Sequence, residues 1–340
     1  MFVAPKVHTA DVAVIGAGPV GLFAVFECGM LNMHCHVVDA LDAAGGQCTA
    51  LYPEKPIYDV PGHPRIGAAE LVQRLKDQAE PFKPVYHLGR QVTALDRSVG
   101  GFVLTTGEGE RIEARAVLIC AGVGALGPNR PPLKGIESYE GGAVRYLVTH
   151  REDFRDKRVV IAGGGDSAID WALSLAQIAA KTTVVHRRDR FRAAPESARR
   201  LKELAQAGKI ELVVPYQLDA LEGDGRALSA VIVRSLDGTA RRIEADFLLP
   251  FFGLAMSLGP IAGWGLNLER NHIVVDPATA ETSAPGIYAA GDVAHYKGKL
   301  KLILTGFAEA AQAAHAMFSR VHPGEALHFE YSTIKGVPGC

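Results

Sequence analysis

Two short runs hold most of the residues in this chain that could do chemistry. One is Gly16-Ala17-Gly18-Pro19-Val20-Gly21, and the other is Gly163-Gly164-Gly165-Asp166-Ser167-Ala168. Small residues at this spacing suit a dinucleotide. The first glycine permits a tight turn, the second lets the backbone approach a pyrophosphate, and the third position lets the next helix pack close to its sheet. That helix then turns its free N–H groups and the positive end of its dipole toward the anion. Asp39 follows Gly16 by 23 residues, and His186 follows Gly163 by the same 23. A carboxylate at this place accepts hydrogen bonds from ribose hydroxyls and repels a 2′-phosphate. His186, Arg187 and Arg188 offer donors and positive charge to such a phosphate instead. The first copy therefore suits FAD and the second NADPH.

The elements that must position these runs are legible around them. Asp11 to Ile15 reads as a short buried strand ahead of the first turn, and an apolar helix follows to about Leu31. A second strand, Cys35 to Val38, delivers Asp39. In the second copy the strand is Arg158 to Ala162, the helix runs from Asp166 to about Ala180, and Thr183 to Val185 is the next strand. Val117 to Gly122 reads as an apolar strand closing the first half, and Gly127-Pro128-Asn129-Arg130-Pro131-Pro132 as a linker. Gly286 to Asp292 then reads as a strand ending in Gly-Asp that returns the chain to the first domain. Asp292 could accept bonds from a ribityl chain or cap a helix, and a helix from about Thr305 to Arg320 could point its N-terminus at the flavin. The expected fold is α/β, with two Rossmann-like dinucleotide-binding domains: residues 1–126 with 257–340 for FAD, and 127–256 for NADPH.

Composition agrees with two buried cores. The chain has 340 residues and a formal net charge of −1, so it exceeds the usual single-domain size and carries no electrostatic footprint for nucleic acid. No apolar run approaches the roughly 20 residues of a membrane span, and the N-terminus lacks a long hydrophobic stretch, so the cytoplasm is the expected compartment. Cys28, Cys35, Cys48, Cys120 and Cys340 form no Cys-x-x-Cys pair, which fits neither a disulfide framework nor a zinc knuckle. Cys28, Cys35 and Cys120 fall in apolar elements where a thiol packs as a small hydrophobe, whereas Cys48 lies in a loop expected near the flavin.

The two glycine motifs, together with His186-Arg187-Arg188-Asp189-x-Phe191-Arg192-Ala193 and Ala290-Gly291-Asp292, resemble the low-molecular-weight thioredoxin reductases over nearly the whole chain. Those enzymes carry a Cys-x-x-Cys just before the second motif, where this chain has Arg145-Tyr146-Leu147-Val148-Thr149-His150. The stretch Gly45-Gly46-Gln47-Cys48-Thr49-Ala50-Leu51-Tyr52-Pro53-Glu54-Lys55 and the C-terminal extension are similar to a narrower group, the thioredoxin-reductase-like ferredoxin–NADP+ reductases. That resemblance implies a homodimer holding FAD through Asp39, Gln47, Tyr52, Val92, Leu126, Asp292 and Thr333, with Tyr331 and Tyr52 as rings stacked on the flavin. Many members have Phe where this chain has Leu126. The resemblance also implies reversible electron transfer between ferredoxin or flavodoxin and NADP+/NADPH, with no side chain as general acid or base. Lys297, Lys299 and Lys301 are candidates for a basic docking patch, with a solvated loop as the alternative reading. Two other functions stay open at this point: a disulfide reductase with a dithiol elsewhere, and a non-catalytic FAD/NADPH redox sensor.

Overall fold

The computed structural model describes residues 6–124, 127–255, 257–327 and 336–337. The chain divides into two compact units, Met1–Leu126 with Met256–Cys340, and Gly127–Ala255. The first unit opens with β1 (Val7–Ile15), α1 (Pro19–Met30), β2 (Cys35–Asp39), the one-turn α2 (Gln47–Ala50), α3 (Ala68–Ala79) and β3 (Val85–Leu88). The strands β4 (Val92–Ser98), β5 (Gly101–Thr106) and β6 (Arg111–Ile119) follow as an antiparallel meander.

The second unit contains β7 (Arg158–Ala162), α4 (Asp166–Leu175), β8 (Lys181–Val185), α5 (Pro195–Gln206) and β9 (Glu211–Val213). After them come β10 (Tyr216–Gly223), β11 (Leu228–Ser235), β12 (Ala240–Glu244) and β13 (Phe247–Pro250). Its parallel sheet has the order β9-β8-β7-β13, and β10-β11-β12 make a separate antiparallel sheet. The helix begun at Asp166 stops at Leu175, short of the expected Ala180. Beyond it Ile178 N–H reaches back to Leu175 O (3.0 Å), a tightened turn that leaves the Ile178 side chain in the core and its carbonyl bonded to Asp156 N–H.

Returning to the first unit, the chain adds β14 (Ile287–Ala289) and α6 (Ile303–Val321). The sheet order is β3-β2-β1-β6-β5-β4, with β14 on β6. Val12, Ala13 and Val14 have no exposed surface, as expected of a central parallel strand covered on both faces. β1 starts four residues before the expected Asp11 because Val7 to Ala10 pair with β6, a contact that the mixed Val7-His8-Thr9-Ala10 pattern does not announce. Likewise the strand read at Val117 is the end of the longer β6. The helix α1 is apolar nearly all round and packs in one cluster with the small face of α6, Ala310, Ala313 and Ala314. No helix among the described residues is long and apolar enough to cross a membrane.

One charged side chain is set into that apolar packing. Glu309 of α6 is 3% exposed. It accepts from Gly291 N–H (2.8 Å) and Tyr296 O–H (2.7 Å) and pairs with the equally buried Lys299 ammonium. Every partner of this carboxylate fixes the segment carrying Asp292. Removing one member of a buried pair strands the other and costs about 3–5 kcal/mol. Glu309→Gln should therefore lower stability to urea by about 3 kcal/mol, and a loss below about 1 kcal/mol, the scale of a surface pair, would contradict this role.

Candidate functional site

At the end of β1, Cys120 N–H donates to Ile15 O (2.7 Å) and Gly16 N–H donates to Val38 O (2.8 Å). The turn is thus hung between β2 and β6. Gly16 adopts φ +108°, and a Cβ there would collide with the Cys120 carbonyl. A Cβ on Gly21 would strike the Gly16 carbonyl, so α1 can pack this closely only without one. Gly18 is the N-cap residue of α1, and neither a side-chain cap nor an acid occupies the first turn. Its leading N–H groups are left for an anion.

Asp39 faces this turn. Its Oδ2 accepts from Ala17 N–H at 2.6 Å and its Oδ1 from Leu41 N–H at 2.8 Å. Burial holds its carboxyl above the ordinary range in spite of both bonds. A carboxylate has about four lone-pair sites, so acceptor capacity remains for ribose hydroxyls. Gly45 N–H donates to Ala17 O (2.8 Å), and Gly46 lies so near that its Cβ would stand 3.1 Å from Gly18 Cα. This docking brings the Gln47 amide beside Gly122. Next in the loop, the buried Cys48 thiol is hydrogen-bonded to Tyr52, and burial pushes it up to about 11. Burial, then Cys48 and Asp292, push the Tyr52 hydroxyl above its usual range.

Asp292 sits in the 3-10 turn Gly291–Val293, while the N-cap of α6 is Leu302. The capping alternative for Asp292 on α6 therefore falls. Val20, Gly291 and Gly306 meet here: a Cβ on Gly291 would lie 3.3 Å from Val20, and one on Gly306 3.3 Å from Gly291 Cα. α6, like α1, begins without a side-chain cap or an acid. Gly16, Gly18, Gly21, Asp39, Gln47, Tyr52 and Asp292 are thus brought around one turn. Val92 differs, since its side chain is 5% exposed and packs in the core with Ile15 and Val38, leaving only backbone for a ligand. Leu126, Tyr331 and Thr333 lie outside the described residues. A turn too close for side chains, an uncapped helix and a carboxylate with spare lone pairs fit FAD.

The second cradle repeats the plan with opposite charge. A Cβ on Gly163 would lie 2.6 Å from Phe251 O, whereas one on Gly165, the N-cap of α4, would meet nothing within 4 Å. Ser167 is exposed beside that open space. The basic loop folds back over the turn through Arg192 N–H to Gly164 O (2.7 Å) and Ala194 N–H to Asp166 Oδ1 (2.7 Å). The Asp166 carboxylate therefore anchors the loop, and a phosphate contact from this residue would come from its N–H. Arg187, Arg188 and Arg192 are exposed, and none pairs with a carboxylate among the described residues. Three unpaired guanidiniums at a strand end fit the 2′-phosphate of NADPH.

Two expectations need correction. His186 supplies no positive charge: its ring is 9% exposed, lies against Gly164 and stacks on Phe191. Burial, with Arg187, Arg192 and Arg188 nearby, lowers its pKa, so the imidazole is neutral and the charge falls to the arginines. Lys299 is no docking residue, because it is buried against Glu309. Arg192 was the residue passed over, although its place in the quoted basic motif could have marked it.

A family model described as pyridine nucleotide-disulphide oxidoreductase matches residues 10–317. A protein of Paramagnetospirillum magneticum named ferredoxin–NADP reductase is 64% identical, over 97% of this chain and 98% of its own. One of the same name from Rhodospirillum rubrum is 62% identical, over 97% and 96%. Among solved structures, the T. acidophilum thioredoxin reductase superposes with a TM-score of 0.80 at 26% identity, covering 92% of this chain and 98% of that one.

The two turns should fail separately. Left-handed backbone costs a non-glycine residue about 1–2 kcal/mol, and at Gly16 a backbone collision adds to it. Gly16→Ala should lower flavin affinity by at least about tenfold, while Gly164→Ala should keep its flavin and lose NADPH. Flavin absorbance and NADPH titration of the two purified variants check both, and full flavin in Gly16→Ala would displace the pyrophosphate from this turn.

Proposed function

The chain belongs to the pyridine nucleotide-disulphide oxidoreductase family, and from that premise we propose that it is a ferredoxin–NADP+ reductase using FAD and NADP(H). Two reduced ferredoxins give up one electron each, and with a proton these convert NADP+ to NADPH, or the reverse. Flavodoxin is the alternative one-electron partner. The sequence resemblance implies a homodimer, and the cytoplasm is the compartment expected from the sequence.

The thiol inventory carries this reading. Cys28, Cys35, Cys48 and Cys120 are all buried and free, and burial raises the pKa of Cys48 and Cys120. Among the described residues no thiolate stands ready to attack a disulfide. Arg145 to His150, where thioredoxin reductases carry their dithiol, contains no cysteine. Electrons entering from NADPH therefore leave to a one-electron carrier.

FAD, when bound, supplies the exchange between single electrons and a hydride. The residues of this chain do the rest. The first N–H groups of α1 would hold the FAD pyrophosphate, and Asp39 would hold ribose hydroxyls. Asp292 would accept from the ribityl chain, and Gln47 and Tyr52 would close the loop side and exclude water. In the second unit the N-terminus of α4 with Ser167 would hold the NADP(H) pyrophosphate, while Arg187, Arg188 and Arg192 would select the 2′-phosphate. No side chain donates or removes a proton from carbon. Contact with ferredoxin is small and steered by charge, and Lys297 and Lys301 remain exposed for it.

Charge-assisted bonds are worth roughly 1.5–3 kcal/mol each. Arg187→Ala/Arg188→Ala should raise KM for NADPH roughly tens-fold or more and leave NADH little changed; equal losses with both coenzymes would remove the 2′-phosphate from this loop. Cys48→Ser should keep ferredoxin turnover within a few-fold. If it abolishes turnover at full flavin content, a thiol takes part.

A further inference from the structure

Four histidines that neither cradle uses gather elsewhere in the first unit. His8 lies on β1, His36 on β2 and His87 on β3, three neighbouring strands of one sheet. On β1, Asp11 N–H and Val12 N–H both donate to His34 O (3.0 and 3.1 Å), which ties this strand to the start of β2. His8 comes to rest with its ring 4.7 Å from that of His87 and 5.6 Å from that of His36. His36 Nδ1 stands 3.0 Å from His87 Nε2. One nitrogen from each of the three rings lies within 4.8 Å of the other two. The fourth ring, the exposed His34, stands 5.4 Å from His36 at the rim.

Packing alone does not account for this arrangement. His8 Nε2 is buried and has no hydrogen-bond partner among the described residues, although buried polar atoms are as a rule paired. His36 and His87 are 5% and 8% exposed. Burial pushes His36 down to about 4 and lowers His87 as well, so both rings are neutral near pH 7, the form that ligates metals. Behind the cluster, Glu110 Oε2 lies 3.8 Å from His87 Nδ1 and 3.7 Å from Arg90 Nε. A carboxylate there keeps the proton on Nδ1 and turns the Nε2 lone pair inward, the usual outer partner of a metal-bound histidine.

We propose that His8, His36 and His87 form a binding site for a divalent transition-metal ion, with zinc as its occupant, that clamps β1, β2 and β3 together. Three imidazole nitrogens select zinc and its late first-row neighbours over magnesium or calcium, which prefer oxygen. A tetrahedral zinc with Zn–N bonds of about 2.0–2.1 Å sets its ligands about 3.3 Å apart. The His36–His87 pair already stands near that spacing, and His8 closes the set by a small swing of its ring. A water or His34 takes the fourth position. Glu110 acts as a positioning residue through His87.

The site shares no residue with the dinucleotide cradles, so its test is independent of the enzyme's activity. Untagged, flavin-loaded full chain is stripped with chelator and titrated with Zn2+, and with Co2+ followed by its ligand-field absorption beyond the flavin bands. The expected result is one ion per chain, a tetrahedral Co2+ spectrum and a raised thermal midpoint with Zn2+. His87→Ala and His8→Ala should each abolish the stoichiometric site, and Glu110→Gln should weaken it by about 10–100-fold. Since His8 lies half-exposed near a strand end, His8→Ala decides the matter if the buried variant fails to fold. Absence of stoichiometric metal in the wild type, or unchanged binding in folded His8→Ala, overturns the proposal.

Discussion

At Gly16 the chain turns under the Cys120 carbonyl with no room for a single methyl group. That contact lets α1 begin where it does, with its first N–H groups uncovered. It also sets Ala17 where its N–H can bind Asp39 and its carbonyl can receive Gly45. The loop bearing Gln47 and Tyr52 and the turn bearing Asp292 are then placed by contacts with the same few residues, Gly18 and Val20. A pyrophosphate needs backbone rather than side chain at close range, so the absence of Cβ atoms here is the central feature of the unit.

Charge separates the two copies of the device. In the first, a partly buried carboxylate receives two backbone N–H groups and stays poor in neighbouring cations. In the second, the strand ends in an imidazole kept neutral by burial, and the arginines beyond it are exposed and pair with no carboxylate among the described residues. Two bonds from main-chain N–H groups, Arg192 to the Gly164 carbonyl and Ala194 to the Asp166 carboxylate, fold that basic segment over the turn. Coenzyme choice in this account comes from a loop fastened to the phosphate site, which gives the guanidiniums a defined position at little entropic cost.

Whatever depends on spacing along the chain was readable in the sequence. The glycine turns, their flanking strands, Asp39 and the arginines each follow from local pattern and register. Contacts between distant residues were not. His8, His36 and His87 come together because β1, β2 and β3 are neighbouring strands of one sheet, and nothing near them in sequence marks that pairing. Lys299 reads as one of three loop lysines until α6 supplies Glu309 from the next helix. The first part of β1 and the meander are similarly obscure, because their mixed patterns become strands only by pairing. His186 was placed correctly by register, but its charge depends on Phe191 and Gly164 packing over the ring, which register does not reveal.

The central claim is that electrons pass between NADPH and a one-electron protein carrier without a thiol relay. It is tested most directly by supplying the purified yellow protein with NADPH and, in parallel assays, oxidised ferredoxin or oxidised thioredoxin at equal concentration. The account predicts rapid ferredoxin reduction and thioredoxin reduction no faster than the enzyme-free blank. Turnover with thioredoxin, or flavin reduced by NADPH that passes nothing to ferredoxin, would contradict it.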